Sequence, residues 1–375
     1  MASLYIHIPF CKSRCTYCDF YSQTQLIYIN VYIKSLVREL ELQKDYLDGE
    51  PIETIYLGGG TPSILKAEDF ELVFNAINRF YDTSSCSEIT LEANPDDITE
   101  EYISTLRQFP FNRISIGIQS FNDKELKMLN RRHTAKQALN AVSHCQNAGY
   151  SNISIDLIYG LPGQTLKLWE KNLDKALRLK IPHLSAYHLT YEEGTVLHQQ
   201  LQAGMIEPVS EETGLLLFNM LIDKLDAAGY VHYEISNFCK PGCFSCHNTA
   251  YWTDRKYLGI GPAAHSYNHI SRQWNIASLP DYLEGMSQGT LRLEKESITP
   301  KTRYNDCIMT SLRTMWGIRL DSFLATFGHE MLAFLLKQAK PYLQTGWLEK
   351  DEKNLKIARK GIFCADGIIR DLIAL

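Results

Sequence analysis

Through the first two-thirds of the chain, short apolar, β-branched runs alternate with longer stretches whose apolar residues recur at helical spacing. The runs Leu4–Phe10, Thr54–Leu57, Glu88–Glu92, Arg113–Ile118, Asn152–Ile158 and His183–Thr190 predict strands. The stretches Ile29–Tyr46, Ala67–Tyr81, Thr99–Phe109, Ala135–Ala148 and Lys167–Leu179 predict amphipathic helices. Run centres lie about 25–50 residues apart, the length of a strand–helix–strand unit, and such alternation implies a parallel sheet. Six units in series suit an α/β barrel, open or closed, better than a short doubly wound sheet. In a barrel, chemistry collects at the C-terminal ends of the strands. The unusual residues lie there: Cys11 after the first run, Gly58–Pro62 after the second, Glu92–Pro95 after the third, Gln119 after the fourth, and Asp156–Gly163 on and after the fifth.

The pattern changes near Gly285–Pro300, a polar segment that reads as a linker. Helical patterns follow it and end in a short, basic, hairpin-like stretch, Trp347–Ala358, so a small α-rich module closes the chain. A length of 375 residues suits one large and one small domain. With 38 Lys+Arg against 43 Asp+Glu, the net charge of −5 shows no basic excess of the kind a nucleic-acid binder carries. No run of about 18 apolar residues predicts a membrane span, and the N-terminus shows no secretory pattern, so a cytoplasmic protein is expected.

Ten cysteines without an export signal point to ligands, catalytic groups or core residues rather than disulfides. Six of them fall in two groups, each spaced C-x3-C-x2-C: Cys11, Cys15 and Cys18, then Cys239, Cys243 and Cys246. Three thiolates in one short loop can hold three irons of a [4Fe–4S] cluster. The fourth iron is then open to chelate the amino and carboxylate groups of a small molecule such as S-adenosylmethionine. A structural zinc site would want a fourth ligand close by. Cys86, Cys145, Cys307 and Cys364 are scattered and read as small core residues, and Trp316 and Trp347 read as core anchors.

The strand-end motifs, taken in order, carry a resemblance. Tyr-x-His-Ile-Pro-Phe-Cys at 5–11, Gly-Gly-Gly-Thr-Pro at 58–62, Glu-x-Asn-Pro at 92–95, Gly-Ile-Gln-Ser-Phe at 117–121, Leu-Asn-Arg at 129–131 and Asp-Leu-Ile-Tyr-Gly-Leu-Pro-Gly at 156–163 resemble the radical S-adenosylmethionine enzymes. They are most similar to the oxygen-independent coproporphyrinogen III oxidases and the related haem chaperones of the HemW type. The resemblance runs from Tyr5 to about residue 270. It implies a partial (β/α)6 barrel over residues 1–285, a linker at 286–300 and a small α-rich, HemN-like C-terminal domain at 301–375. It also implies that Cys11, Cys15 and Cys18 hold the cluster. Tyr5, Gly59, Gly60, Thr61, Glu92, Gln119, Arg131 and Asp156 would line S-adenosylmethionine sites. The loop Gly259–Ser266 is similar to the family's last strand loop, although His265 by itself carries no role.

Two departures separate the chain from the oxidases. Their motif continues Cys-x-Cys after the third ligand, where this chain has Phe20, and they carry a longer segment ahead of the cluster than the ten residues before Cys11. A third feature is positive: His247-Asn-Thr-Ala-Tyr251-Trp252 matches the His-Asn-x-x-Tyr-Trp signature of the haem chaperones, which makes His247 the expected haem ligand. The resemblance therefore implies a chaperone that binds haem and delivers it to acceptor proteins, at the inner membrane face or elsewhere, with an electron donor such as a flavodoxin or ferredoxin. Whether the cluster gates transfer, promotes a homodimer or permits S-adenosylmethionine cleavage stays open. The alternatives are decarboxylation of coproporphyrinogen III and radical chemistry on an unrelated substrate. The second cysteine group is not part of the family pattern. A second cluster, a C-x-x-C-H haem attachment and free thiols in a Gly-containing loop all remain open for it.

Overall fold

The computed structural model describes residues 1–374. Its centre is six strands: β1 (Ala2–Ile8), β2 (Ile52–Gly59), β3 (Glu88–Ala93), β4 (Arg113–Gln119), β5 (Asn152–Tyr159) and β6 (His183–His188). Each pairs in parallel with the next in the chain. The crossovers carry α1 (Ile29–Leu42), α2 (Ala67–Phe80), α3 (Glu100–Leu106), α4 (Asp123–Met128), α5 (Ala135–Asn147) and α6 (Leu166–Arg178). This is the α/β partial barrel that the alternating pattern predicts, with strand and helix positions close to those expected.

Alternation along the strands sorts side chains by face. On β1, Leu4, Ile6 and Ile8 are fully buried towards the helices, while Ser3, Tyr5 and His7 take the other face. The helices answer with apolar stripes, such as Phe70, Val73, Phe74 and Ile77 on α2. Side-chain oxygens of Thr99, Asn122, Thr134 and Thr165 cap the first turns of α3, α4, α5 and α6.

The ring does not close. Two helices, α7 (Val196–Gln202) and α8 (Glu211–Ala227), follow β6, and the chain returns as an antiparallel pair, β7 (Val231–Glu234) and β8 (Asn237–Cys239), with β8 against β6. The short helix α9 (Cys246–Trp252) then leads to β9 (Tyr257–Ile260), which pairs in parallel with the free edge of β1. Antiparallel β10 (His265–Tyr267) and β11 (Ser271–Asn275), helix α10 (Leu279–Ser287) and strand β12 (Leu293–Ser297) complete a 12-stranded sheet.

The segment expected to be a linker therefore contains a strand. Its charged and exposed Glu294, Lys295 and Glu296 hide it from hydrophobic patterning, and they protect a sheet edge from further pairing.

The remaining residues form α11 (Pro300–Ser311), β13 (Ile318–Arg319), α12 (Leu320–Thr345, broken at Gly328), the hairpin β14 (Leu348–Lys350) and β15 (Asn354–Ile357), and α13 (Ala365–Leu372). They bury a core of their own around Tyr304, Ile308, Phe323, Leu335 and Ile368. This unit docks through Ile235 N–H to Arg313 C=O at 3.2 Å and Met315 N–H to Tyr233 C=O at 3.0 Å. Trp316 is not the core anchor expected, since it is 37% exposed, and Cys364 is exposed rather than buried. Cys145 is buried; Cys86 and Cys307 are half-buried. Among the described residues no helix is long and apolar enough to cross a membrane.

Candidate functional site

The C-terminal ends of β1 to β5 bring the predicted site residues to one mouth. The loop after β1 carries Cys11, Cys15 and Cys18, all half-buried. Burial raises the Cys11 and Cys18 thiols, the latter to about 11. Two polar groups reach the sulfurs: the Thr61 hydroxyl lies 3.4 Å from Cys11 Sγ, and Arg131 Nη1 lies 3.2 Å from Cys15 Sγ. The same guanidinium donates through Nη2 to Asn94 Oδ1 at 2.6 Å and to the Gly117 carbonyl at 2.5 Å. Asn94 Nδ2 in turn donates to Thr61 Oγ1 at 3.2 Å. Arg131 thus ties the cysteine loop to the ends of β3 and β4.

Glu92 is the centre of the second group. Its carboxylate accepts from the Tyr56 hydroxyl at 2.6 Å and from Gly59 N–H at 3.1 Å. Burial raises it from 4.5 to about 7 despite those donors. Asp156, further along the wall, is raised to about 6, again chiefly by burial. Tyr5 donates to or accepts from His7 Nδ1 at 3.0 Å, and burial lowers His7 to about 4. The glycines of the β2 turn are required sterically. Gly59 has φ +101°, and a Cβ there would stand 2.5 Å from the His7 ring; one on Gly60 would stand 2.6 Å from the Ile8 carbonyl oxygen. Gln119 has φ +65°, in the left-handed region where a non-glycine residue is strained.

The residues fit a [4Fe–4S] cluster with S-adenosylmethionine. Three thiols share one loop, a buried cation stands beside them, and Arg131 Nε has no partner among the described residues. Gly59 lines the mouth beside Tyr5 and Glu92, on a turn packed against His7 and the Ile8–Phe10 backbone too tightly for any side chain. The three thiols are grouped by the loop but not drawn into a finished ligand cage; among the described residues no three His, Cys, Asp or Glu side chains converge that closely.

His247, the expected haem ligand, lies in the barrel wall with its ring enclosed. Glu88 accepts from the backbone N–H of Cys246 and His247, at 3.1 and 2.9 Å, and anchors the start of α9 to the barrel interior. The His247 ring is 1% exposed and stacks on Tyr56. Its Nδ1 lies 2.8 Å from Thr54 Oγ1 and its Nε2 lies 3.0 Å from the Tyr251 hydroxyl. Burial, helped by Arg113, lowers it to about 3, which keeps it neutral. Both ring nitrogens are therefore engaged, so the geometry is that of a structural histidine in the barrel wall rather than a free axial ligand.

The second cysteine group is dispersed. Cys239 is buried on β8, Cys243 is half-buried in the turn, and Cys246 is exposed at the start of α9. All three are free thiols.

Sequence reasoning missed Thr54, Tyr56 and Arg113, which build the interior network. The signal was present in the strand alternation: polar residues at 54, 56, 88, 90 and 92 face one side of β2 and β3.

Comparison with known proteins agrees with this geometry. Residues 5–176 match the radical SAM superfamily, and residues 298–364 match the HemN C-terminal domain. A solved structure, coproporphyrinogen III oxidase (HemN) from Escherichia coli, superposes with a TM-score of 0.87 over 100% of this chain and 90% of its own, at 23% identity, which speaks for the fold alone. A protein named heme chaperone HemW from Lactococcus lactis is 34% identical over 99% of this chain and 97% of its own. One of the same name from Bacillus subtilis is 33% identical over 96% of both. Superfamily membership implies a [4Fe–4S] cluster and S-adenosylmethionine. By sequence along almost its whole length and by fold, the chain belongs to the HemW family of radical S-adenosylmethionine proteins.

Proposed function

We propose that the protein is a haem chaperone: it binds haem, holds a [4Fe–4S] cluster at Cys11, Cys15 and Cys18, and delivers haem to acceptor proteins in the cytoplasm or at the inner membrane face. The observation that carries this reading is the one-third identity to proteins named heme chaperone HemW over nearly the full length of both chains. Phe20 supports it, because that position is 60% exposed beside the cluster loop and offers no further thiol.

When bound, the cluster supplies an electron to the sulfonium of S-adenosylmethionine. The chain's own residues position these groups. Arg131 offsets the negative charge of the thiolate loop and fixes it to β4. Gly59 and Gly60 carry the turn that borders the mouth, where Glu92 and Gln119 offer acceptors for ribose hydroxyl or amino groups. Tyr5, Thr61 and Asp156 complete that wall. An electron donor such as a flavodoxin or ferredoxin would serve the cluster, and a homodimer is part of the proposal.

The test is anaerobic reconstitution with iron and sulfide, loading with haem, and mixing with an apo haem protein. Saturable haem binding followed by transfer is expected. Conversion of coproporphyrinogen III to protoporphyrinogen with release of carbon dioxide would overturn the chaperone reading in favour of the oxidase.

A further inference from the structure

A cavity of about 740 Å³ lies between the barrel edge and the C-terminal domain, within the range of about 300–1,000 Å³ typical of small-molecule sites. Trp252 and Tyr257 face it from the barrel, and Trp316, Phe323 and Phe327 from the C-terminal domain. Both walls are thus aromatic. The partial exposure of Trp316, unexplained by packing, follows from its place in this wall.

Four guanidinium groups line the cavity, those of Arg255, Arg272, Arg303 and Arg319, against the carboxylates of Asp254 and Asp306. Two are committed: Arg255 pairs with Glu53, and Arg272 with Glu296 at 2.9 Å and Asp306 at 2.8 Å. The pairs of the other two lie in solvent. Arg303 reaches only Asp254, at 3.7 Å, and Arg319 makes a two-point pair with Asp321, at 2.7 and 3.3 Å, where both side chains are mostly exposed. Solvent-exposed pairs contribute about 0–1 kcal/mol, the two-point arginine pair being the firmer of these.

One imidazole is available. His265, at the start of β10, lines this cavity and also the barrel mouth beside Tyr5, Gly59 and Glu92. Its side chain is exposed, and among the described residues neither ring nitrogen has a hydrogen-bond partner; one face rests on Trp274 at a centroid distance of 5.7 Å. His247 lines only the barrel mouth, with both nitrogens occupied. The signature residues Tyr251 and Trp252 do line the interdomain cavity.

Flat aromatic walls, two cations paired in solvent and a free imidazole are the requirements of an iron porphyrin with two carboxylate arms. We propose that haem occupies this interdomain cavity, with His265 as its axial ligand and Arg303 and Arg319 towards its propionates. The inference rests on the haem-binding reading above. It reassigns the role of the signature: α9 supplies wall and scaffold through Tyr251 and Trp252, and His247 holds α9 to the barrel.

The test is haem titration of the reconstituted full-length protein, read at the Soret band, for wild type, His265→Ala, His247→Ala and the double variant Arg303→Glu/Arg319→Glu. Thermal melting checks that each variant folds, which matters most for the buried His247. A loss of roughly tenfold in affinity, about 1.4 kcal/mol, with a displaced Soret maximum is expected for His265→Ala. Folded His247→Ala is expected to keep the wild-type spectrum. The double arginine variant is expected to weaken haem roughly tenfold and haem dimethyl ester, which lacks the charged arms, hardly at all. Wild-type spectra and affinity in both the His265 and the arginine variants would overturn the cavity assignment and leave the chaperone reading standing. No saturable haem binding by wild type would overturn that reading and this inference with it.

Discussion

Glu92 holds an ionisable group inside the barrel, and its ionisation sets a pH dependence. Because burial raises it from 4.5 to about 7, its stabilising contribution is complete below the unfolded value and is lost as pH rises through about 7. Glu92→Gln keeps the shape and removes the ionisation. In cluster-free protein, the melting temperature of the variant minus that of wild type is expected to grow by about 2–5 °C between about pH 5 and about pH 8; a flat difference would contradict the assignment. Glu234, also raised by burial, is present in both proteins and cancels; Asp156 repels Glu92, so its relief in the variant adds to the same trend. Gly59→Ala is expected to destabilise by about 2–4 kcal/mol, through its backbone conformation and the clash with His7, measured as a shift in the urea midpoint. At this scale the sequence was legible where a residue type is unusual for its place: three cysteines in a loop, three consecutive glycines, an acid ending an apolar strand. Thr54 and Tyr56 showed only as alternation, which does not tell whether a neutral polar residue's face meets solvent or a polar barrel interior. The surroundings of His247 were not legible for a related reason. A motif names a residue, whereas only the structure shows that Thr54 and Tyr251 already occupy both of its nitrogens.

Helix α9 shows how one element is fixed by a charge it does not contain. Glu88 caps its first turn and stands 3.8 Å from Arg113, which is 2% exposed. Removing Glu88 leaves that arginine buried without its ion-pair partner, with only the more distant carboxyls of Glu92 and Asp156 acting on it. Glu88→Ala is therefore expected to destabilise by about 3–5 kcal/mol, whereas adding Arg113→Met should recover a large part of the loss; urea unfolding of the single and double variants checks this. Elements with long, regular apolar periodicity, such as α2, α5 and α6, were legible nearly to the residue, whereas α1 ends at Leu42, four residues before the expected Tyr46. Strand β12 was not, since it lies at the sheet edge with Glu294, Lys295 and Glu296 all exposed. No burial pattern marks it, and its pairing with β11 is set by tertiary context.

For the whole molecule, the joint between barrel and C-terminal domain is the feature with most consequence. Arg272 on β11 links Glu296 of β12 to Asp306 of α11, so one guanidinium spans the boundary. Asp306→Arg places like charges there and is expected to raise the rate of tryptic cleavage between Arg292 and Lys301 roughly threefold; an unchanged digestion pattern would show that the joint does not depend on this pair. The cavity beside the C-terminal unit was not readable, because its walls come from segments some 60 residues apart that read separately as loop and core. That cavity also has a kinetic consequence. His265 is already exposed and unbonded, so capture of a porphyrin breaks no existing hydrogen bond at the iron-binding nitrogen. Association should then be a single phase whose rate rises linearly with haem concentration. Ligation at His247 would instead have to wait for its ring to leave Thr54 and Tyr251, and stopped-flow mixing would register that wait as a slow phase indifferent to haem concentration.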